Sequence, residues 1–476
     1  MKKWILWLAF WLTGVVISEA QVQLPALLQV QLQLNEAYQK QRVDLASWAR
    51  EKNLPMRWKD SEGREIELAG IDETGMPVYY ITDNVVAAHS TSTSRVWPGG
   101  VLGDTLAGQS MTIGEWDGGA TRLTHQELAG RTIQADGATT LSDHATHVAG
   151  TMIASGVQPN ARGMAWQANL LAYDWNNDNA EMAAAGQNGL LVSNHSYGQI
   201  AGWHSSGGQW FWYGNPALSD SFDWNFGFYN SKAQQWDQIA VNNPFYLIVK
   251  SAGNNRNQGP TPGTTHQVRN SSGAWVTSTT PRPRSGPYDC LPTYSVAKNI
   301  LTIGAVNDLP NGWQSAAGVG MSSFSSWGPT DDGRIKPDIV GNGVGLYSSY
   351  SGSNTAYASI SGTSMSGPNV AGSLILLQQR YKELHNVFMR SHTLKALALQ
   401  TADEAGPDPG PDYMFGWGLL NTAKAVQLLG NADGASLIEE HLLENEGIVN
   451  INAFHPGGGP LKVTIAWTDP AGTPPP

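Results

Sequence analysis

From about residue 101 the chain alternates short apolar runs with longer segments whose apolar residues recur at helical spacing. MTIGEW, ANLLAYDW, LLVSNHSYG, FYLIVKSAG and KNILTIGAV read as strands. HATHVAGTMIAS, NAEMAAAGQNG, KAQQWDQIAVNN, the apolar run after Ser364 and TLKALALQTA read as helices. Near-continuous apolar strands separated by helices predict an α/β domain on a parallel sheet. Ligands of such sheets bind at the carboxyl ends of the strands.

The flanks follow other rhythms. Residues 21–50 are rich in Leu, Gln and Ala and read as helical, and IELAGIDETGMPVYYI reads as a hairpin. Residues 84–100, NVVAAHSTSTSRVWPGG, read as a linker. The expectation is a small α+β unit over 21–88 and a main domain over 89–430. After residue 430 the alternation stops, and GIVNINAF and LKVTIAW read as strands opening a β-rich segment over 431–476. Two isolated strands are marginal in water. This tail is therefore expected either to pack on the main domain or to begin a longer one. Two insertions break the α/β pattern. Residues 199–232 carry Trp203, Trp210, Trp212 and Trp224, which either line a cleft or pack on themselves; residues 255–289 are polar and proline-rich.

Composition narrows the setting. Hydrophobic residues make up 41% of the 476, enough for a large core, and charged residues only 14%. A net charge of −11 with no basic run excludes nucleic acid as an expected partner. Residues 1–20, MKKWILWLAFWLTGVVISEA, place two lysines before an apolar stretch, with Ser18 and Ala20 spaced for cleavage before Gln21. This reads as a secretory signal peptide, with an uncleaved anchor as the alternative. No later stretch is apolar enough to span a membrane. The one cysteine, Cys290 in YDCLPTY, has no base beside it and reads as a buried structural thiol.

Four chemically capable side chains fall at element ends. Asp117 closes the strand TIGEWD before two glycines. His144, in SDHATHVAGT, opens a helix. Asn254 follows the strand in KSAGNN. Ser364, in SISGTSMSGPNVAG, enters a buried helix, where the backbone can bend at Gly362 and Pro368 is tolerable near the helix start. Singly these are a turn former, a structural histidine, a turn asparagine and a helix cap. Jointly they supply a nucleophile, a base to take its proton, a carboxylate to orient that base and an amide to donate to an oxyanion. His144 and His147 lack the third ligand and HExxH spacing of a metal pair.

DGG after a strand, HATHVAGT, SAGN and GTSMSGPNVAG, in the order Asp, His, Ser, resemble the motifs of subtilisin-like serine peptidases. The resemblance covers about residues 101–425, with KPDIVG and YMFGWGLLN inside it. It implies a subtilisin-like parallel sheet flanked by helices and an endopeptidase with Asp117, His144 and Ser364 as its triad and Asn254 at the oxyanion. It makes the first histidine of its motif the base, hence His144 rather than His147. SNHSYG and KSAGN resemble the segments bracketing the substrate side chain, which implicates Ser196, Tyr197, Gly198, Ser251, Ala252 and Gly253. The leader resembles a propeptide that assists folding and blocks the cleft, and the tail resembles the start of a β-rich domain found in some relatives. The implied protein is secreted and monomeric, takes protein or peptide substrates and is inhibited by its own propeptide. It needs neither a membrane nor a catalytic cofactor, with room for structural Ca²⁺. DWNNDNAEM at 174–182 is oxygen-rich but lacks the EF-hand Gly and final Glu, so it reads first as a loop ending in a helix cap. Departures are Ala145 between the histidines, Ser366 and Gly367 after the nucleophile, and KPDIVGNG without Ala-Pro-Gly; none removes a catalytic group. The rival readings are an esterase with the same triad, whose usual GxSxG elbow is absent, and a non-catalytic binding protein.

Overall fold

The computed structural model describes residues 45–52, 55–59, 65–71, 77–81, 84–103, 105–270, 274–431, 434, 436–443, 446–452 and 461–474. The signal-peptide stretch 1–20 and the helical expectation over 21–44 lie outside them. The chain divides into two units, Met1–Ile81 and Thr82–Pro476. In the first, residues 45–51 form helix α1, with Leu45 and Ala49 buried on its inner side. Strands β1 (Arg57–Lys59), β2 (Glu65–Ile71) and β3 (Pro77–Ile81) form an antiparallel sheet in that order, with a bulge between Leu68 and Gly70.

The second unit begins with a correction. Residues 84–100 are not a linker. Asn84–Ser90 is helix α2, and Val86, Ala87 and Ala88 are buried. The small residues that made this stretch look like a linker are what lets it pack closely. Asn369 Nδ2 donates to Ala87 O at 3.3 Å, and the Thr93 hydroxyl lies 2.7 Å from Ser373 Oγ. The main body therefore starts ahead of residue 84, not at 89.

Its centre is a seven-stranded sheet. Along the chain come β4 (Thr112–Asp117), β5 (Thr132–Gln134), α3 (Asp143–Ile153), β6 (Asn169–Asp174), α4 (Asp178–Gln187) and β7 (Val192–His195). Then follow β8 (Trp203–Ser206), β9 (Gln209–Trp212), α5 (Ser231–Asn242), β10 (Leu247–Ser251), β11 (His266–Arg269) and β12 (Trp275–Ser278). The last are β13 (Leu301–Val306), β14 (Ile339–Asn342), β15 (Leu346–Ser349), β16 (Tyr357–Ile360), α6 (Thr363–His385), α7 (Ser391–Gln400) and α8 (Thr422–Gly430). The sheet runs β14-β13-β10-β7-β4-β6-β5 with every pairing parallel. The expected α/β architecture is the one observed. β10 and β13 are buried at every position because both faces are covered. On one face α6 brings Val370, Leu374, Ile375 and Leu377 into the main core, each fully buried. Truncating one such leucine to alanine costs about 2–5 kcal/mol. On the other face α4 and α5 pack Met182 and Trp236 against Ile248 and Trp116.

The two insertions make one sheet, of order β12-β11-β9-β8. Trp203, Trp212 and Val268 form its core, so most of the tryptophan cluster packs on itself. Cys290 is buried as expected. LKVTIAW carries no strand. A strand needs a neighbouring edge for its N–H and C=O groups, and none lies beside 461–467 among the described residues. The tail is held instead by polar contacts: Lys298 Nζ to Asp469 at 2.9 Å, and Gln234 Nε2 to Gly472 O at 2.9 Å. Leu461, Val463, Ile465 and Trp467 are exposed.

Candidate active site

Asp117 ends β4 and His144 lies in the first turn of α3, so a strand's carboxyl end meets a helix's amino end. Ser142 caps that helix by accepting from Ala145 N at 3.1 Å, which fixes where the turn begins. His144 Nδ1 donates to both Asp117 oxygens, at 2.7 and 2.9 Å. Asp117 also accepts from Gly118 N at 2.7 Å and is 1% exposed. Burial pulls the His144 pKa down, but the charge of Asp117 and its hydrogen bond outweigh this and the net shift is upward. With Nδ1 held, Nε2 is left to exchange a proton. His147 has a different fate. Its Nε2 donates to Leu346 O and Ala358 O at 2.9 and 3.1 Å, and burial lowers its pKa to about 4. It stays neutral and ties α3 to the β15–β16 hairpin.

Ser364 lies in the first turn of α6. It does not cap that helix: the cap position is Gly362, and the Ser364 hydroxyl donates to Ser196 O at 3.1 Å. Gly362 is extended, with φ 162° and ψ 161°, so it does not provide the expected bend. What it provides is space. A Cβ there would stand 3.4 Å from Asn254 Nδ2 and 3.6 Å from Ser364 N. Two donor nitrogens thus lie on the same side of Gly362. The Asn254 amide is oriented for this, because its Oδ1 accepts from Thr363 N and Thr363 Oγ1, both at 2.9 Å, leaving Nδ2 outward. Pro368 lies past the first helical turn and cannot donate to the Ser364 carbonyl; Ser196 Oγ does so at 3.0 Å.

Ser364 and Asn254 open on a cleft of about 200 Å³ between the ends of β7 and β10. Of the six expected pocket residues, Ser196, Tyr197, Gly198, Ser251 and Gly253 line it. Ala252 does not: it is fully buried in the core beneath α5. Trp203 and His204 line the cleft from the insertion sheet, so one edge of the tryptophan cluster does reach it.

A model of the subtilase family matches residues 115–418, more than half of the chain. The chain belongs to the subtilase family. That is a family of serine peptidases, and the matched span holds all four residues named above. This subtilase is 50% identical over 76 residues to the C5a peptidase of Streptococcus pyogenes, a segment covering 16% of this chain and 6% of that one. It is 40% identical over 80 residues to the PII-type proteinase of Lacticaseibacillus paracasei, covering 17% and 4%. Against the serine protease/ABC transporter B family protein tagA of Dictyostelium discoideum it is 22% identical over 417 residues, covering 70% and 23%. The chain thus spans under a quarter of the length of these curated relatives. A solved structure of the prenylagaramide maturation protease PagA aligns with TM-score 0.47 at 19% identity, covering 71% of this chain and 96% of that one.

Among the described residues of this subtilase, no three acidic, histidine or cysteine side chains converge as a metal site. In the oxygen-rich 174–182 stretch Asp174 accepts from Asn176 N, and Asp178 accepts from Asn179 N and from the Tyr197 hydroxyl outside it. Among the described residues no helix is long and apolar enough to cross a membrane. Sequence reasoning missed Lys250, which also lines the cleft. Its signal, a lysine inside the apolar run FYLIVKS, was present but gave no direction for the side chain.

Proposed function

We propose that the chain is a secreted serine endopeptidase working through Asp117, His144 and Ser364. The observation carrying this reading is the His144 Nδ1 contact with both Asp117 oxygens, together with Asn254 Nδ2 and Ser364 N lying on the same side of Gly362. Donors fixed there before reaction stabilise a charge that appears only in the transition state. Ser364 Oγ turns from Ser196 O toward His144 and attacks the scissile carbonyl. The Oγ–H proton passes to Nε2, and Asp117 steadies the imidazolium. The carbonyl oxygen becomes an oxyanion held by Asn254 and the Ser364 N–H. Collapse breaks the C–N bond; the amine leaves with the proton from Nε2, and an acyl-enzyme remains. Water, deprotonated by His144, releases the acid and restores Ser364.

Secretion rests on the signal-peptide pattern of residues 1–20. The segment ahead of residue 82 acts as a propeptide that the enzyme removes from itself. Burial of α2 in the core supports a cut ahead of residue 84 rather than in the stretch 84–100 that reads as a linker. Digestion of casein by the purified protein and by Ser364→Ala tests the central reading. The wild type is expected to degrade casein and the variant to leave it intact. Hydrolysis of p-nitrophenyl esters without casein cleavage would favour the esterase; no serine-dependent hydrolysis at all would favour the binding protein.

A further inference from the structure

Lys250 stands at the penultimate position of β10 and opens KSAGN, one of the two segments that bracket the cleft. It is 1% exposed. Nζ donates to Ser251 O at 2.8 Å and to Ser251 Oγ at 2.9 Å, both uncharged acceptors. Among the described residues no carboxylate lies within ion-pair distance of it. Its partner in register on β7 is His195, which burial and the lysine's charge keep neutral. Burial lowers the lysine pKa to about 7, with Asp117 opposing from further off. A buried cation without a counter-charge is costly, because the folded protein replaces little of its hydration.

Gly198 connects this ammonium with the cleft. A Cβ at Gly198 would have Lys250 Nζ as its nearest neighbour, 3.9 Å away; glycine leaves that space empty. Both residues line the same cleft as Ser364 and Asn254. We propose that Lys250 makes this cleft select an acidic side chain, glutamate or aspartate, on the residue whose carbonyl Ser364 attacks. This rests on the peptidase reading and adds the substrate class to it. A carboxylate entering beside Gly198 supplies the missing charge and accepts a charge-assisted hydrogen bond from the ammonium. The same site disfavours lysine and arginine by like charge, and glutamine makes the hydrogen bond without the charge.

Four fluorogenic peptides, identical except for Glu, Gln, Leu or Lys at the cleaved position, test this. Reactive Ser364 is first counted with a fluorophosphonate. The wild type is expected to cleave the Glu peptide with a kcat/KM about 10- to 100-fold above the Gln peptide. Lys250→Met is expected to bring that ratio to about 1 or below. A wild-type ratio at or below 1, or a ratio unchanged in Lys250→Met, overturns the proposal while cleavage after Leu or Lys leaves the peptidase reading standing. Cleavage of none of the four overturns the peptidase reading and the inference with it. Should Lys250→Met fail to fold, the wild-type ratio decides alone.

Discussion

Among the described residues two lysines are buried to about the same depth, Lys250 and Lys336. Lys336 lies among the loops before β14. Its Nζ reaches Asp338 at 2.6 Å and Thr302 Oγ1 at 3.2 Å, and Lys395 meets the other Asp338 oxygen at 2.8 Å. Burial pushes the Asp338 pKa up, but the two lysines pull it lower still. Lys250 has two serine oxygens and no acid. One ammonium is complete within the fold; the other lacks a counter-charge and lies against a cleft. A buried charge whose partner is internal holds structure together. A buried charge whose partner is absent marks where a ligand group belongs.

The largest effect that could break this comparison is on stability. Lys336→Met should destabilise by up to about 3–5 kcal/mol, since it takes from Asp338 one of its two lysines and leaves it only Lys395, and should leave the Glu-to-Gln preference intact. Lys250→Met should match or exceed the wild type in thermal melting, because it strands no partner. Urea or thermal unfolding of both variants checks this; equal destabilisation would erase the distinction.

Next in size is Asn254→Ala. It should lower kcat by about 10²–10³ with little change in KM, a magnitude carried over from subtilisin's own oxyanion asparagine rather than from this geometry. Steady-state kinetics decide; a change confined to KM would remove Asn254 from the oxyanion.

Ser364→Ala should cost little stability, no more than the roughly 0.5–1.5 kcal/mol of one hydrogen bond, because Ser364 does not cap α6. It should nevertheless keep its leader. Intact mass of both purified forms checks this, with a wild-type N-terminus ahead of residue 84. Equal masses with both leaders removed in a protease-deficient host would defeat self-processing.

The smallest expected effect is on pH dependence. The His144 pKa is raised, so its ion pair with Asp117 contributes stability that is full below about pH 6.5 and lost as pH rises through the higher folded value. Catalysis needs the neutral ring and runs the opposite way. In Lys250→Met, where the cleft lysine shifted to near neutrality is gone, kcat/KM should rise with pH along one limb with its midpoint above 6.5. A midpoint below that value would contradict the Asp117 contact.

The central sheet was legible because its strands are apolar throughout and its helices keep one apolar face. Asp117, His144, Asn254 and Ser364 stood out as candidates because each sits at an element end within a specific motif. Three things were not. Residues 84–90 are small and weakly periodic, so nothing local announced a helix whose reason is close packing against β14 and β15. The insertions join residues far apart in sequence, as in the parallel pairing of Gln267 with Phe211, and no local pattern announces such a partner. Ala252 and Lys250 are near neighbours on the same segment, and only the three-dimensional placement of β7 beside β10 shows that the lysine reaches the cleft and the alanine the core.

The most direct test of the catalytic account is to map the covalent adduct after treating the purified protein with a fluorophosphonate. The account predicts a single adduct on the tryptic peptide containing Ser364, and its loss in His144→Ala at the same exposure. No adduct, or one on a different serine, would contradict it.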